Sequence, residues 1–352
     1  MKKKSFLVSL SILMYSVVAM ADGIRINSFQ LAAGEKQEIG ILLDNSSDYG
    51  GLQFDLYLPD GVTIVKNADD EYCDVTDRLK ISSKSYMTCE FGRPDANEPN
   101  HWRCLIYNTS DKNIQGTSGD PIINIILSAS DEITTGENNI EVKSQILSTV
   151  EATETKPADA TYTCTLLINA TVSSLGYATF SWPKALDFTG CTGVQPYIAS
   201  ALGNGTITMT PVSKVPANTG ILLKGTSATY HPSTTEAATD DVSDNLLAET
   251  ATGAYTVGNS DNIYVLSRNN NNEPGFYKAH SGVTIGQYKA YLSIGSVSNS
   301  PAAFMFDGQI TGISKIEQND ADGVSYTVGG VRVENPTASG LYIKKGKKYM
   351  VK

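Results

Sequence analysis

A chain of 352 residues carrying 27 Lys and Arg against 37 Asp and Glu has a formal charge of −10. That acidity repels phosphate backbones and argues against nucleic acid as a partner. The length suits about two domains, each able to bury its own core.

The chain opens on Lys2, Lys3 and Lys4, followed by an apolar run from Phe6 to Val18 that only small hydroxyl residues interrupt. Ala19-Met-Ala21 then places small residues where a signal peptidase reads, with Asp22 next. This pattern predicts a Sec signal peptide over residues 1–21. The run falls short of the roughly 20 apolar residues a bilayer span needs, which opposes an uncleaved anchor; no transmembrane segment is expected after cleavage. No cysteine follows the run to carry a lipid. Cleavage removes three lysines and no acid, so 331 residues with a charge of −13 remain.

Period-two alternation dominates the rest of the chain. In residues 52–58, Leu52, Phe54, Leu56 and Leu58 share one face while Gln53, Asp55 and Tyr57 take the other. Pro59-Asp-Gly61 ends that strand with turn chemistry. Residues 140–143 and 162–168 alternate in the same way, whereas 122–127 is a continuous apolar run suited to a core strand. No stretch of a dozen residues has a 3.6-residue period. The fold class expected is therefore all-β, built of antiparallel sandwiches or barrels.

Composition shifts to Thr, Glu, Lys, Pro and Ala over residues 151–160, which places a boundary there. The domains expected are residues 22–158, a second β-rich block over 159–309, a polar linker over 310–323 and a tail over 324–352. The second block has candidate strands at 206–210, 220–224, 263–267, 288–294 and 302–306. The tail reads as short strands ending in a hairpin about Gly346, its lysines protecting a solvated edge.

Three parts of the chain resemble known families. Gly40-Ile-Leu-Leu-Asp-Asn-Ser46 and Tyr49-Gly-Gly-Leu-Gln-Phe-Asp-Leu-Tyr-Leu-Pro-Asp-Gly-Val62 are similar to the cohesin-type sandwich of bacterial surface and scaffold proteins. That resemblance implies a jelly-roll topology shared with several carbohydrate-binding modules. The insertion from about Tyr72 to Cys104 departs from the family pattern and puts its dockerin-binding face in question. Gly176-Tyr-Ala-Thr-Phe180, Val215-Pro-Ala-Asn-Thr-Gly-Ile-Leu-Leu-Lys-Gly225, Asn245-Leu-Leu247, Tyr264-Val-Leu-Ser267, Gly275-Phe-Tyr277 and Lys289-Ala-Tyr-Leu292 resemble a β-rich module of envelope proteins from bacteria with type IX secretion. No activity attaches to that module. Gly329-Gly-Val-Arg-Val333, Gly340-Leu-Tyr-Ile343 and Lys347-Lys-Tyr-Met-Val-Lys352 resemble the end of a type IX C-terminal sorting domain, which implies passage across the outer membrane.

Chemistry is sparse. His101 and Cys104 stand three residues apart in a Pro- and Asn-rich segment, an arrangement that invites a Cys–His nucleophile but fits a disulfide-pinned loop better. Cys73, Cys89 and Cys104 are the disulfide candidates, and an odd total of 5 cysteines leaves at least one thiol free. Cys164 alternates with Tyr162, Leu166 and Ile168 and reads as buried. His231 and His280 lie in loops with no second ligand near. The cysteine spacings carry no zinc motif, and no metal site is assigned. No cofactor is expected; calcium is the ion an acidic exported β protein would suit. Asn319-Asp-Ala-Asp-Gly323 imitates half a calcium loop, yet it lacks the distal Glu and the flanking helices and reads as a turn. Asp69-Asp-Glu71 and Asp240-Asp241 read as solvated loop charges.

No carboxylate pair stands in a glycosidase motif, and no nucleophile elbow or phosphate loop is present. The expectation is a non-enzymatic binding or adhesion protein, secreted or at the outer cell surface, with polysaccharide or an envelope protein as ligand. Its candidate ligand-binding residues are Trp102, His101 and Arg103, a tryptophan among polar neighbours; Trp182 is the second aromatic to test. A stalk or fimbria-like subunit is the structural alternative, and a polysaccharide-acting enzyme the third.

Overall fold

Alternating side chains, short apolar runs and glycine turns give strands throughout the computed structural model, which describes residues 22–81, 84–108, 112–114, 119–295, 300–306, 325–327, 332–333, 340–344 and 347–351. The expected signal peptide, the linker over 310–323 and Gly346 lie outside the described residues. Among the described residues the protein is all-β.

The first unit takes its strands in chain order. They are β1 (Gly23–Ile26), β2 (Phe29–Ala32), β3 (Lys36–Asp44), β4 (Gly51–Tyr57), β5 (Val62–Val65), β6 (Asp74–Val75), β7 (Lys80–Ile81) and β8 (Lys84–Ser85). Next come β9 (Thr88–Gly92), β10 (His101–Tyr107), β11 (Pro121–Ala129), β12 (Gly136–Ser148), β13 (Glu154–Thr155) and β14 (Ala160–Leu167). The smaller sheet runs β1-β3-β11-β5, with β6 also on β11; the larger runs β2-β14-β12-β4-β10-β9, with β13 on β12. Leu52, Phe54 and Leu56 of β4 face Ile41, Leu43, Ile125 and Leu127 of the smaller sheet in one core. Burying such side chains is worth about 1.5–3 kcal/mol each, which is why the period-two pattern fixes the register.

Gly61 turns the chain after β4 at φ +77, and a Cβ there would lie 2.8 Å from the Ile133 backbone nitrogen. Both facts demand glycine.

Two features depart from the sequence expectations. β14 pairs antiparallel with β12 and parallel with β2, and it contributes Cys164 and Leu166 to the sandwich core. The boundary expected over residues 151–160 therefore falls inside the first unit, which runs on to Leu167. A polar stretch is not always a linker: here it is the connection between paired strands. The second departure is a bulge in β12 between Lys143 and Ile146, with Ser144 at φ 53. The bulge turns Gln145 inward, where its amide donates to the Ala158 carbonyl at 2.7 Å and accepts from the Ile24 amide at 2.8 Å.

The second unit is built on one nine-stranded sheet. Its path is Tyr177–Phe180, Ile221–Gly225, Val194–Leu202, Thr206–Pro211, Ala303–Phe306, Pro274–Lys278, Ile263–Arg268, Ala290–Ser293 and Leu247–Glu249. The ends of this path curl toward each other, for the Ser181 hydroxyl donates to the Lys289 carbonyl at 2.6 Å. Ile221 and Leu223 enter one core while Leu222 enters another on the opposite face. A strand buried on both faces needs a continuous apolar run, as residues 221–223 have. The two units touch through residues 131–135: Thr135 and Thr234 bond reciprocally at 2.8 and 3.1 Å, and the Tyr288 hydroxyl donates to Asp131 at 3.2 Å.

In the tail, Arg332–Val333, Ser325–Thr327, Gly340–Lys344 and Lys347–Val351 form a sheet in that order, the last two as a hairpin. No described helix is long and apolar enough to cross a membrane.

Candidate functional site

β10 decides the fate of the three residues singled out by sequence. His101, Trp102 and Arg103 are consecutive in a strand rather than a loop, so the tryptophan points opposite to its neighbours. Trp102 is only 2% exposed. Its ring packs at 5.1 Å from Tyr72 and 6.2 Å from Phe91, and the Arg93 guanidinium covers it at 4.9 Å. The expectation that Trp102 contacts a ligand is thereby corrected: its polar neighbours are the outward half of an alternation whose inward half is Trp102. Trp182 is likewise buried, between Phe180 and Tyr288.

His101 and Arg103 face outward and meet residues that the sequence left unassigned. Register places Tyr57 opposite His101 and Asp55 opposite Arg103, with Glu141 and Lys143 of β12 on the far side of β4. Asp55 is 3% exposed although it lies on the outer face. Arg103 clamps it with two parallel bonds, Nε at 2.6 Å and Nη2 at 2.8 Å. His101 Nε2 stands 3.5 Å from Asp55 Oδ2, an ion-pair distance without hydrogen-bond geometry, while Nδ1 meets Glu98 Oε2 at 2.7 Å. The Tyr57 ring stacks on His101 at 4.3 Å, and Lys143 Nζ lies 4.9 Å from the same ring while pairing with Glu141 at 2.6 Å.

Burial alone would raise the Asp55 carboxyl, but the Arg103 guanidinium and His101 outweigh it and hold the group below the usual carboxylate range. The same contact raises Arg103. Asp55 is thus a charged, fully engaged group that orients its neighbours. It is not a free base.

Beyond Arg103 the face opens into a groove of about 510 Å³ over Gly92, which stands opposite Arg103 and puts no side chain there. Glu90, Arg93, Pro94 and Leu105 edge the groove. Leu105 and Tyr107 are 36% and 37% exposed, and the Tyr107 hydroxyl donates to Glu90 at 2.9 Å. Rigid charges beside exposed apolar side chains suit recognition.

Cys104 points into the core, away from His101, so the two share no nucleophilic geometry. It joins Cys73 and Cys89 on the inner side, where Cys73 Sγ is 2.7 Å from Cys89 Sγ. Cys164 is buried and raised to about 11 by that burial. The His231 ring Nδ1 meets the Ile168 carbonyl at 3.2 Å. Among the described residues no three His, Cys, Asp or Glu side chains gather as a metal-ligand set.

A second groove, of about 570 Å³, lies at the rim of the curled sheet between Tyr177, Gln195, Tyr197 and Lys224. Gly176, Gly193 and Gly225 keep it open, and Tyr177 stacks on Phe306 at 4.9 Å. Burial lowers Lys224, and its ammonium stands 6.0 Å from the Tyr177 ring.

The fold and this face define an all-β protein with a sandwich unit. Solved structures similar to part of the chain are cohesin modules. One is the cohesin of a type I cohesin–dockerin complex from Clostridium thermocellum, at 14% identity over 42% of this chain and 100% of that one, with a TM-score of 0.34. A non-cellulosomal cohesin from Archaeoglobus fulgidus matches at 13% identity over 42% and 92%, with a TM-score of 0.31. The seventh ScaB cohesin from Pseudobacteroides cellulosolvens matches at 14% identity over 43% and 94%, with a TM-score of 0.33. No family model matches the chain. No curated protein matches it either.

Proposed function

We propose that this chain is an exported, non-enzymatic binding or adhesion protein that acts at the cell surface and holds another envelope protein on the outer face of its larger sheet. The observation that carries the reading is the locked array of Tyr57, Asp55, His101 and Arg103 beside exposed Leu105 and Tyr107. Side chains already fixed by ion pairs and stacking lose little freedom on binding, and an apolar centre with a charged rim is how protein interfaces are built. Export rests on the basic start, the apolar run and Ala19-Met-Ala21; surface delivery rests on the tail's likeness to a sorting domain. The test immobilises the full chain and a Leu105→Asp variant and offers both an envelope-protein extract. A partner kept by the native chain and lost by the variant supports the reading. Equal retention by the two, or none by either, overturns it.

Carbohydrate remains the second reading, and the Tyr177 groove favours it over the buried tryptophans. Tyrosine rings offer apolar faces to a pyranose, and Lys224 brings donors for hydroxyl or carboxylate oxygens. A glycan array with native chain and Tyr197→Ala separates the two sites. The structural alternative, a stalk or fimbria-like subunit joined through sheet edges, predicts ordered polymers in size-exclusion chromatography, where a stable monomer would speak against it.

A further inference from the structure

We infer that Cys73 and Cys89 are joined by a disulfide in the exported protein, that this bond cross-links the two sheets of the sandwich, and that Cys104 beside them stays a thiol. The two Sγ atoms lie 2.7 Å apart, well inside van der Waals contact. Cys73 directly precedes β6, which pairs with β11 of the smaller sheet; Cys89 lies in β9, the edge of the larger sheet. A bond between them therefore ties one layer to the other at the open side of the sandwich. It also fastens the strand that carries Glu90 and Gly92 of the outer groove.

The rival partner for Cys89 is Cys104. Cys104 stands opposite Phe91, and Cys89 opposite Ile106, so the two cysteines are diagonal neighbours on adjacent antiparallel strands. Their thiols interact, for Cys104 raises Cys89, but it is the Cys73 sulfur that stands 2.7 Å from the Cys89 sulfur. Exposure agrees with this choice, because Cys73 and Cys89 are half-buried and Cys104 is fully buried. Cys164 and Cys191 lie in other parts of the core and have no cysteine partner among the described contacts.

Formation needs a two-electron oxidant, and a small-molecule disulfide serves. The Cys73 thiolate attacks one sulfur of oxidised glutathione, breaks its S–S bond and releases one glutathione thiolate. The Cys89 thiolate then attacks the mixed-disulfide sulfur on Cys73 and releases the second. The protein loses two protons and two electrons, and one oxidised glutathione becomes two reduced ones. The neighbouring thiol and burial raise Cys73, and Cys104 together with burial raises Cys89. The reaction accordingly quickens as pH rises, since the thiolate is the nucleophile.

The full chain incubated with oxidised glutathione, denatured and alkylated, tests the assignment by counting thiols and mapping linked peptides. The expected result is three alkylated cysteines of the 5 present, with peptides bearing Cys73 and Cys89 linked until reductant is added. A Cys104→Ser chain keeps that link. Five free thiols after oxidation, or a link that includes Cys104, overturns the assignment. Limited proteolysis supplies a second readout that needs no variant: cuts between residues 73 and 89 leave one covalent product until reduction. Separation of the fragments before reduction overturns it equally.

Discussion

At the scale of single residues, Asp55 and Arg103 form an unequal pair. The carboxylate is buried at 4% side-chain exposure, while the guanidinium is 43% exposed. Removing the arginine strands a charge that water cannot reach; removing the carboxylate leaves an arginine that water can. Arg103→Ala is therefore expected to cost about 3–4 kcal/mol in denaturant unfolding, and Asp55→Asn only about 1–2 kcal/mol. Because the folded carboxyl is held below its unfolded value, its contribution is fully present above about pH 4. It is lost as pH falls through the lower folded value. The native chain should show that acid loss and Asp55→Asn should lack it; parallel acid limbs would contradict the account. Little of this is legible in the sequence: alternation marks Asp55 as outward-facing, but only strand register shows that it meets Arg103.

Among elements, β12 and the turn after β4 carry the sharpest expectations. Ser144 sits at φ 53, a left-handed conformation that an ordinary side chain adopts at a cost. Ser144→Gly should relieve it and raise stability by about 0.5 kcal/mol, since glycine's extra unfolded-state freedom offsets part of the gain. Gly61→Ala meets both φ +77 and the Ile133 nitrogen at 2.8 Å, and should lower stability by about 2 kcal/mol or more. Thermal unfolding of the two variants gives shifts of opposite sign if the backbone argument is right. The Gly61 turn can be read from Pro59-Asp-Gly61, whereas the bulge leaves no signal, for it answers to the docking of β1 on Gln145, 121 residues from Ile24.

For the whole molecule, the boundary between units is the point to test. β14 seals the larger sheet by pairing with both β12 and β2. A chain ending at residue 158 should lack a cooperative unfolding transition, because it exposes β12 and β2 and loses Leu166 from the core. One ending at residue 168 should keep it. Equal behaviour of the two would return the boundary to where composition places it. The parallel β2–β14 pairing brings together segments about 135 residues apart, a contact that no local window of sequence can register.

The sequence by itself determined the all-β class, the inward set Leu52, Phe54 and Leu56, and five of the nine strands in the main sheet of the second unit, because side-chain period and turn chemistry are local properties. It also gathered Cys73, Cys89 and Cys104 as candidates without ordering them. Tertiary structure alone decided that Trp102 is core, that Asp55 is clamped by Arg103, and that the Cys73 and Cys89 sulfurs stand 2.7 Å apart. Each of these depends on which strands lie side by side and in what register, and register is set by the burial of a whole core rather than by any residue's neighbours in the chain.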